Sequence, residues 1–313
     1  MKMKLSFVIP AKDEEGSVEE LYREISREAG KITKQFEIIF IDDGSKDKTF
    51  EILKELSQKD KNVKVVKFRG NWGKAAAFQT GFSLATGDII FTMDSDLQDN
   101  PSEIPNFIAK LEDGYDLVSG WKKERHDPWH KVIPSRVLNW LTGKFTGVWL
   151  HDINCGFKAY RREVVENLNL YGELFRFIPV FAAKQNYRVT EIPVEHKERK
   201  FGKSKFGFER NIKGLLDLIT IIFLTGYVRR PGHFFGTLGL ASFFSGFLIG
   251  IYITYLRVSA GNIQGRSPLL FLGILLMVIG IQLLTTGLLA EMLLFSRQKQ
   301  DYRSAIDKEL GFK

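Results

Sequence analysis

Two stretches near the carboxyl end constrain this 313-residue chain most: residues 234–256 carry no charged side chain, and neither do residues 267–290. As helices each would run roughly 35 Å, enough to cross a ~30 Å hydrocarbon core. A soluble core helix of that length would need a polar face, and neither stretch has one. The connection Arg257–Arg266 is short, so the two spans form a helical hairpin with both ends on one side. Arg229 and Arg230 precede it and Arg297, Lys299 and Arg303 follow, against Arg257 and Arg266 in the loop. The bias of Lys and Arg toward the cytoplasm then puts both ends there. Gly246 and Gly250 form a G-x-x-x-G with Ser242 one step earlier, a face for close packing against the second span or another subunit.

The rest of the chain reads differently. Between residues 1 and 120, short apolar runs (Leu5–Ile9, Phe36–Ile41, Val63–Phe68, Asp88–Met93, Tyr115–Ser119) alternate with amphipathic stretches. Val18, Leu21, Tyr22 and Ile25 share one helical face. Continuous apolar strands separated by helices predict a mostly parallel sheet covered on both faces. A further strand is expected over Tyr187–Val194. The apolar start is too short for a signal peptide, which leaves this domain in the cytoplasm. The net charge of +8 is spread rather than gathered in an arm; it suits nucleic acid, anionic lipid or polyphosphate substrates, and the two spans favour the last two. Cys155 is the single cysteine, so an intrachain disulfide and a cysteine-based zinc site are both excluded.

The strand ends carry the chemistry. The fourth run stops on Asp94-Ser95-Asp96-Leu97-Gln98. Two carboxylates one residue apart at a sheet's carboxyl edge suit a hard divalent cation, with Gln98 as a third oxygen and substrate phosphates completing the shell. The bland alternative is an acidic turn before the helix entered at Asn100-Pro101. Asp42 and Asp43 end the second run, where adjacent carboxylates repel unless something is bound; Ser45 or Asp47 suits the cap of the next helix. Arg69-Gly70-Asn71-Trp72-Gly73-Lys74 fails the P-loop pattern, which excludes that NTPase class, but Lys74 can still meet a phosphate at a helix start. Val137, Leu138, Leu141 and Phe145 form a stripe that reads as a core helix, with a membrane-interface helix as rival because Trp140 and Trp149 are close. His126 and His130 bracket Pro128 and read as surface residues. Asp152 precedes a glycine turn and is either a cap or a third carboxylate. The basic loop 199–207 reads as a phosphate clamp or a solvated linker, and Phe208–Tyr227 as an interfacial helix.

Taken together, Val8 to Glu15, Ile41-Asp42-Asp43-Gly44-Ser45, Gly73-Lys74, Asp94 to Gln98, Asp152 to Phe157 and Arg199 to Lys205 resemble the family 2 glycosyltransferases of GT-A fold. More narrowly they resemble polyprenyl-phosphate hexosyltransferases of the dolichyl-phosphate mannosyltransferase and bactoprenol glucosyltransferase kind. The resemblance implies a Rossmann-like α/β domain over residues 1–207, an interfacial linker over 208–230, the hairpin over 231–296 and a cytoplasmic tail over 297–313. It implies an inverting enzyme that transfers a hexose from a nucleotide sugar to a polyprenyl phosphate, with glucose from UDP-glucose favoured and GDP-mannose the alternative. A lipid hydroxyl acceptor, or a non-catalytic nucleotide-sugar-binding scaffold, are the rival readings.

Carried over by position, Pro10, Lys12, Glu14, Ile41 and Asp43 would hold the nucleoside end of the donor, and Lys74, Asp94, Ser95 and Asp96 its diphosphate. Asp94, Asp96 and Gln98 would bind Mg²⁺ or Mn²⁺, and Asp96 and Asp152 carry the catalytic roles. Lys122, Arg125, Arg136, Arg199 and Lys205 would meet the phosphates of acceptor and donor. Lys122 stands where the family often has Arg. The absence of a Q-x-x-R-W motif speaks against a processive polymerase. Oligomeric state is open from sequence.

Overall fold

The computed structural model of the chain describes residues 3–123, 129–168, 170, 172–197, 217, 220, 221, 231–261 and 265–297. The chain divides into two compact units, residues 1–225 and 226–313.

The first unit is built on one seven-stranded sheet. Its strands are β1 (Leu5–Ala11), β2 (Phe36–Asp42), β3 (Val63–Lys67), β4 (Ile89–Thr92), β5 (Leu117–Lys122), β6 (Lys158–Arg161) and β7 (Val189–Val194). The order is β3-β2-β1-β4-β6-β5-β7, parallel except for β6, which runs antiparallel to both neighbours. Helices α1 (Val18–Ile32), α2 (Thr49–Lys59), α3 (Lys74–Leu84), α4 (Ile104–Glu112), α5 (Trp129–Thr146), α6 (Arg162–Glu166) and α7 (Ile178–Lys184) connect them. The expected strands are all present. β6 is the addition, four residues reading Lys-Ala-Tyr-Arg that carry no apolar run.

Alternation along the strands splits the core in two. Phe7, Ile9, Phe40 and Phe91 face α1 and α4, where Val18, Leu21 and Ile25 are fully buried as their spacing requires. Val8, Ile39, Ile41 and Ile90 face α3, α6 and α7. The Phe7 and Phe91 rings stack at 5.1 Å, locking β1 to β4 in register. Because β2, β1 and β4 are parallel neighbours, their carboxyl ends open at one edge. The loops after Ala11, Asp42 and Thr92 therefore lie side by side.

Helix α5 departs from the core-helix reading. Asn139, Thr142 and Thr146 point inward, while Val137, Trp140 and Phe145 are exposed, as is Trp149 beyond the helix. The Asn139 amide donates to the His151 carbonyl at 2.5 Å and the threonine hydroxyls bond back to helix carbonyls. The inward face thus carries polar groups that donate to backbone carbonyls, with Asn139 Oδ1 left without a partner, and Val137 and Phe145 of the apolar stripe stay outside.

The second unit is a hairpin of two helices, Pro231–Ala260 and Ser267–Arg297, each long and apolar enough to cross a membrane. The expected G-x-x-x-G contact is corrected here: a side chain built on Gly250 would have no neighbour within 4 Å. The contact uses a seven-residue spacing instead. Gly239 faces Gly280, where a Cβ on either would stand 2.7 Å from the other's carbonyl oxygen. Gly246 likewise abuts Gly273, and Gly287 abuts Gly232. Ser242 Oγ donates to the Leu276 carbonyl at 2.8 Å, and Glu291 accepts the Gly232 N–H at 2.9 Å. Close backbone approach without bulky side chains is how apolar helices gain packing in lipid.

Candidate active site

The loops after β1 and β2 are stitched together. Asp13 N–H donates to Ser45 Oγ and Lys46 N–H returns to Asp13 Oδ1 at 2.8 Å. Glu14 N–H donates to Thr49 Oγ1, and Lys48 N–H to Glu15 Oε2. Asp13 adopts φ 51°, a left-handed conformation in which Asp is tolerated. The sequence treats Asp42 and Asp43 as a pair that repels without a ligand; the structure corrects this. Asp42 accepts the Ser45 N–H at 2.9 Å together with its hydroxyl, while Asp43 accepts the Trp72 N–H at 2.7 Å and the Gly73 N–H at 3.0 Å. Each carboxylate has its own internal donors, and Asp43 fixes the turn that delivers Lys74. Pro10, Lys12 and Glu14 are partly exposed along this edge, whereas the Ile41 side chain belongs to the core.

Lys74 opens α3 and its ammonium pairs with Asp94 Oδ1 at the end of β4. The chain then turns through Leu97 at φ 62°, a strained position for leucine that buries its side chain and returns Asp96 and Gln98 toward the edge. Ser95 and Asp96 are buried; Asp96 Oδ1 accepts the Gln98 N–H at 3.2 Å. The Gln98 amide nitrogen donates to the Lys197 carbonyl and lies 3.3 Å from His196 Nε2. Asn100 caps the following helical turn through Ser102 N–H, so the acidic segment is both a helix entrance and a carboxylate cluster.

A third carboxylate, unread in the sequence, completes the cluster. Asp99 is 2% exposed, its Oδ2 accepts the Asp94 N–H at 3.3 Å, and its Oδ1 has no hydrogen-bond partner and sits 3.9 Å from Lys122 Nζ. Burial pushes the Asp99 carboxyl up to about 6, with Lys122 opposing and Asp94 and Asp96 adding to the rise. Burial would also raise Asp94, but Lys74, Lys122 and Lys158 together hold it low. The Lys122 ammonium is depressed by burial yet raised overall by Asp99, Asp94 and Asp152. The sequence signal for Asp99 was its place immediately after Gln98.

Asp152 is 1% exposed and its Oδ1 accepts the Asn154 N–H, so it caps the turn while its charge faces Lys122 and Lys158. Gly156 lies against Asp94: a Cβ there would stand 2.6 Å from the carboxyl carbon. Lys158 is buried and donates to the Ile153 and Cys155 carbonyls; burial pushes its pKa down. Burial also pushes the Cys155 thiol up to about 12, which removes it as a thiolate nucleophile. Arg136 is exposed on α5. Arg125, Arg199 and Lys205, with the basic loop, His126, the His130 side chain and most of the 208–230 linker, lie outside the described residues.

The donor set fits a hard cation. Asp94 already accepts a positive partner, Asp96 follows two residues on, and Asp99, whose Oδ1 has no hydrogen-bond partner, adds a third carboxylate that interacts with both. Among the described residues no trio of His, Cys, Asp and Glu gathers as a closed metal site. A pair of carboxylates leaving positions for substrate phosphates is the Mg²⁺-type arrangement.

A mostly parallel sheet whose carboxyl edge gathers carboxylates and lysines defines an α/β domain with a ligand site at that edge. Solved structures of glucosyl-3-phosphoglycerate synthase from Mycobacterium tuberculosis share the fold. The complex with phosphoglyceric acid superposes at TM-score 0.54 with 20% identity, covering 71% of this chain and 80% of that one. The complex with Mn²⁺, UDP and phosphoglyceric acid gives 0.54 at 19%, covering 70% and 78%. A dodecaprenyl-phosphate galacturonate synthase of Rhizobium johnstonii is 38% identical over 304 residues, 96% of this chain and 90% of that protein. The model of glycosyl transferase family 2 matches residues 6–168. The chain belongs to that family and is a glycosyltransferase.

Proposed function

We propose that this chain transfers a sugar from a nucleotide sugar to the phosphate of a polyprenyl lipid at the cytoplasmic face of a membrane, inverting the anomeric centre. The observation that carries it is the meeting of Asp94, Asp96, Lys74 and Lys122 at one sheet edge in a chain that also holds a membrane-type hairpin. The Rhizobium relative, named for a prenyl-phosphate product and matched nearly end to end, supports the acceptor.

Pro10, Lys12, Glu14 and Asp43 would line the nucleoside end of the donor. Asp94 and Asp96, with Gln98, would hold Mg²⁺ or Mn²⁺ on its diphosphate. That cation would neutralise charge developing on the leaving group, the largest demand of the transition state. A lipid phosphate oxygen attacks C1 of the sugar; the C1–oxygen bond to the diphosphate breaks, and its electron pair departs with the nucleoside diphosphate. The lipid phosphate is already anionic, since the second pKa of a phosphate monoester is about 6, so no strong base is required. Lys122 would place that phosphate, and Asp152 would orient Lys122. Arg125, Arg136, Arg199 and Lys205 are the remaining candidates for phosphate contacts.

The family resemblance favours glucose from UDP-glucose, with GDP-mannose as alternative; the relative's name adds galacturonate. The test offers the full-length protein labelled UDP-glucose, GDP-mannose and a UDP-uronate in turn, with a prenyl phosphate, with and without EDTA. Transfer from one donor, lost with EDTA and lost in Asp96→Asn at unchanged stability, is the expected result. Transfer to diacylglycerol instead, or nucleotide binding without turnover, would overturn the acceptor or the enzyme assignment respectively.

A further inference from the structure

The Gln98 side chain is hydrogen-bonded to a segment 98 and 99 residues further along the chain. Where β7 ends at Val194, residues 195–197 run antiparallel beside residues 98–100. Asp99 and His196 form the bridge, and the Lys197 N–H donates to the Gln98 carbonyl at 3.0 Å. The Asn100 amide nitrogen donates to Glu195 Oε2 at 2.7 Å. The Gln98 side chain closes the same contact, its nitrogen lying 3.3 Å from both the Lys197 carbonyl oxygen and His196 Nε2. This strap has no part in the chemistry above, yet it grips the neutral member of the set Asp94, Asp96 and Gln98.

The contacts fix which way the amide faces. A backbone carbonyl only accepts, so the atom beside the Lys197 oxygen is the amide nitrogen, and the Gln98 oxygen is turned from the strap. Among the described residues no donor meets that oxygen. The second amide hydrogen points at His196 Nε2, which is therefore assigned as its acceptor. An amide held at Lys197 alone could pivot about one hydrogen bond. A second acceptor on the same nitrogen, on a residue set by the bridge to Asp99, removes the pivot. Orientation matters more for Gln98 than for its neighbours: a carboxylate can offer either oxygen to a cation, whereas a rotated carboxamide offers it an N–H donor. Outer partners that orient a ligand strengthen metal binding, and losing one costs about 10- to 100-fold in affinity.

We propose that His196 is a positioning residue for the cation: its Nε2 holds the Gln98 amide so that the oxygen, and not the nitrogen, is presented to a divalent ion at Asp94 and Asp96. This rests on the reading of those residues as the cation site and deepens it by adding a residue outside the ligand set.

Mn²⁺ binding is measured on the full-length protein with UDP, from the loss of the free-ion electron paramagnetic resonance signal, with no acceptor and no turnover. His196→Phe keeps a ring and removes the acceptor. His196→Asn keeps a polar group that stops short of the Nε2 position, and His196→Gln returns an oxygen close to it. Gln98→Met removes the proposed ligand. The expected result is Mn²⁺ affinity about tenfold weaker in His196→Phe and His196→Asn and near wild type in His196→Gln, with thermal melts in EDTA unchanged. Gln98→Met should weaken Mn²⁺ at least as much. Adding His196→Phe to it should cost less than about twofold more, because the histidine acts only through the glutamine. Mn²⁺ affinity within about twofold of wild type in His196→Phe or His196→Asn would overturn the proposal. So would an undiminished loss when His196→Phe is made in the Gln98→Met background, which would assign the histidine to holding the strap. Wild-type affinity in Gln98→Met would overturn it as well, while leaving Asp94 and Asp96 as the cation site. No Mn²⁺ binding to the wild type would reject that site itself, and this inference with it.

Discussion

Replacing Gly156 by alanine tests whether Asp94 needs its exact position. The added methyl would lie 2.6 Å from the Asp94 carboxyl carbon and one of its oxygens, where ordinary contact begins at 3.4 Å. The carboxylate must therefore retreat by about 3.4 − 2.6 = 0.8 Å. It can do so without unfolding the domain, because its side chain is partly exposed and its partner is the flexible end of Lys74. Gly156 has no positive φ, so alanine adds no backbone strain. The expected stability change is below about 1 kcal/mol. Activity responds differently: a displacement near 1 Å at reacting groups costs on the order of 100-fold. An 0.8 Å shift predicts a loss of roughly 30- to 100-fold in kcat/KM, about 2–2.7 kcal/mol in barrier. The assay is sugar transfer at saturating acceptor, repeated across a Mn²⁺ titration, with a thermal melt alongside. An intact melt with weakened activity and a raised cation requirement supports the reasoning. Activity within threefold of wild type would refute it.

Three other outcomes follow from the same structure. Glu37 is buried on β2; burial alone would raise its pKa, but Lys64, Ser6 and Thr86 bring it down to about 2. A depressed carboxylate stabilises the fold above its unfolded value near 4.3 and loses that contribution as pH falls toward 2. With Lys64 half exposed, screening reduces the effect to about 1.5 kcal/mol, so Glu37→Gln should flatten acid unfolding between those limits; an unchanged profile rejects this. Asp43→Ala removes the acceptor of the Trp72 and Gly73 N–H groups and should cost about 2–3 kcal/mol in a urea melt, less than 0.5 counting against it. In the hairpin, Gly280→Leu should lower the melting temperature in micelles whereas Gly250→Leu, with open space around it, should not; equal effects would reject the packing described.

Much of this was legible because periodicity survives without tertiary information. β1, β2, β4 and β5 announced themselves as apolar runs since they are largely buried between helices, the edge strand β3 showed through its three valines, and the Val18, Leu21, Ile25 stripe is the face that packs. β6 was hidden for the opposite reason: four residues flanked by arginines and a buried lysine are ordered by their neighbours on both sides, not by their own hydrophobicity. Asp94, Asp96 and Lys74 were readable as a group because strand ends converge in parallel sheets. Asp99 and Lys158 were not, because their importance lies in what faces them across the fold. Asp43 was read for a ligand alone, yet it has backbone donors 29 and 30 residues further on. The stripe on α5 misled because a polar helix face can be the buried one once Asn139 finds a carbonyl. The glycine spacing was in plain view; four-residue spacing was sought where seven was used.

That glycine ladder has a consequence for how the hairpin can drift over evolutionary time. Gly232 with Gly287, Gly239 with Gly280 and Gly246 with Gly273 form three rungs whose residue numbers each add to 519. The pairing is written in six absences of a side chain, and each rung is defined by both members at once. Outward-facing positions such as Leu248, Val258 and Leu288 answer only to their apolar surroundings and are interchangeable among large hydrophobic residues. A substitution scan of this segment should show tolerance interrupted every seventh residue on both helices, with insertions in either helix damaging and insertions in the connecting turn absorbed. The hairpin is therefore specified by its metre rather than by its vocabulary.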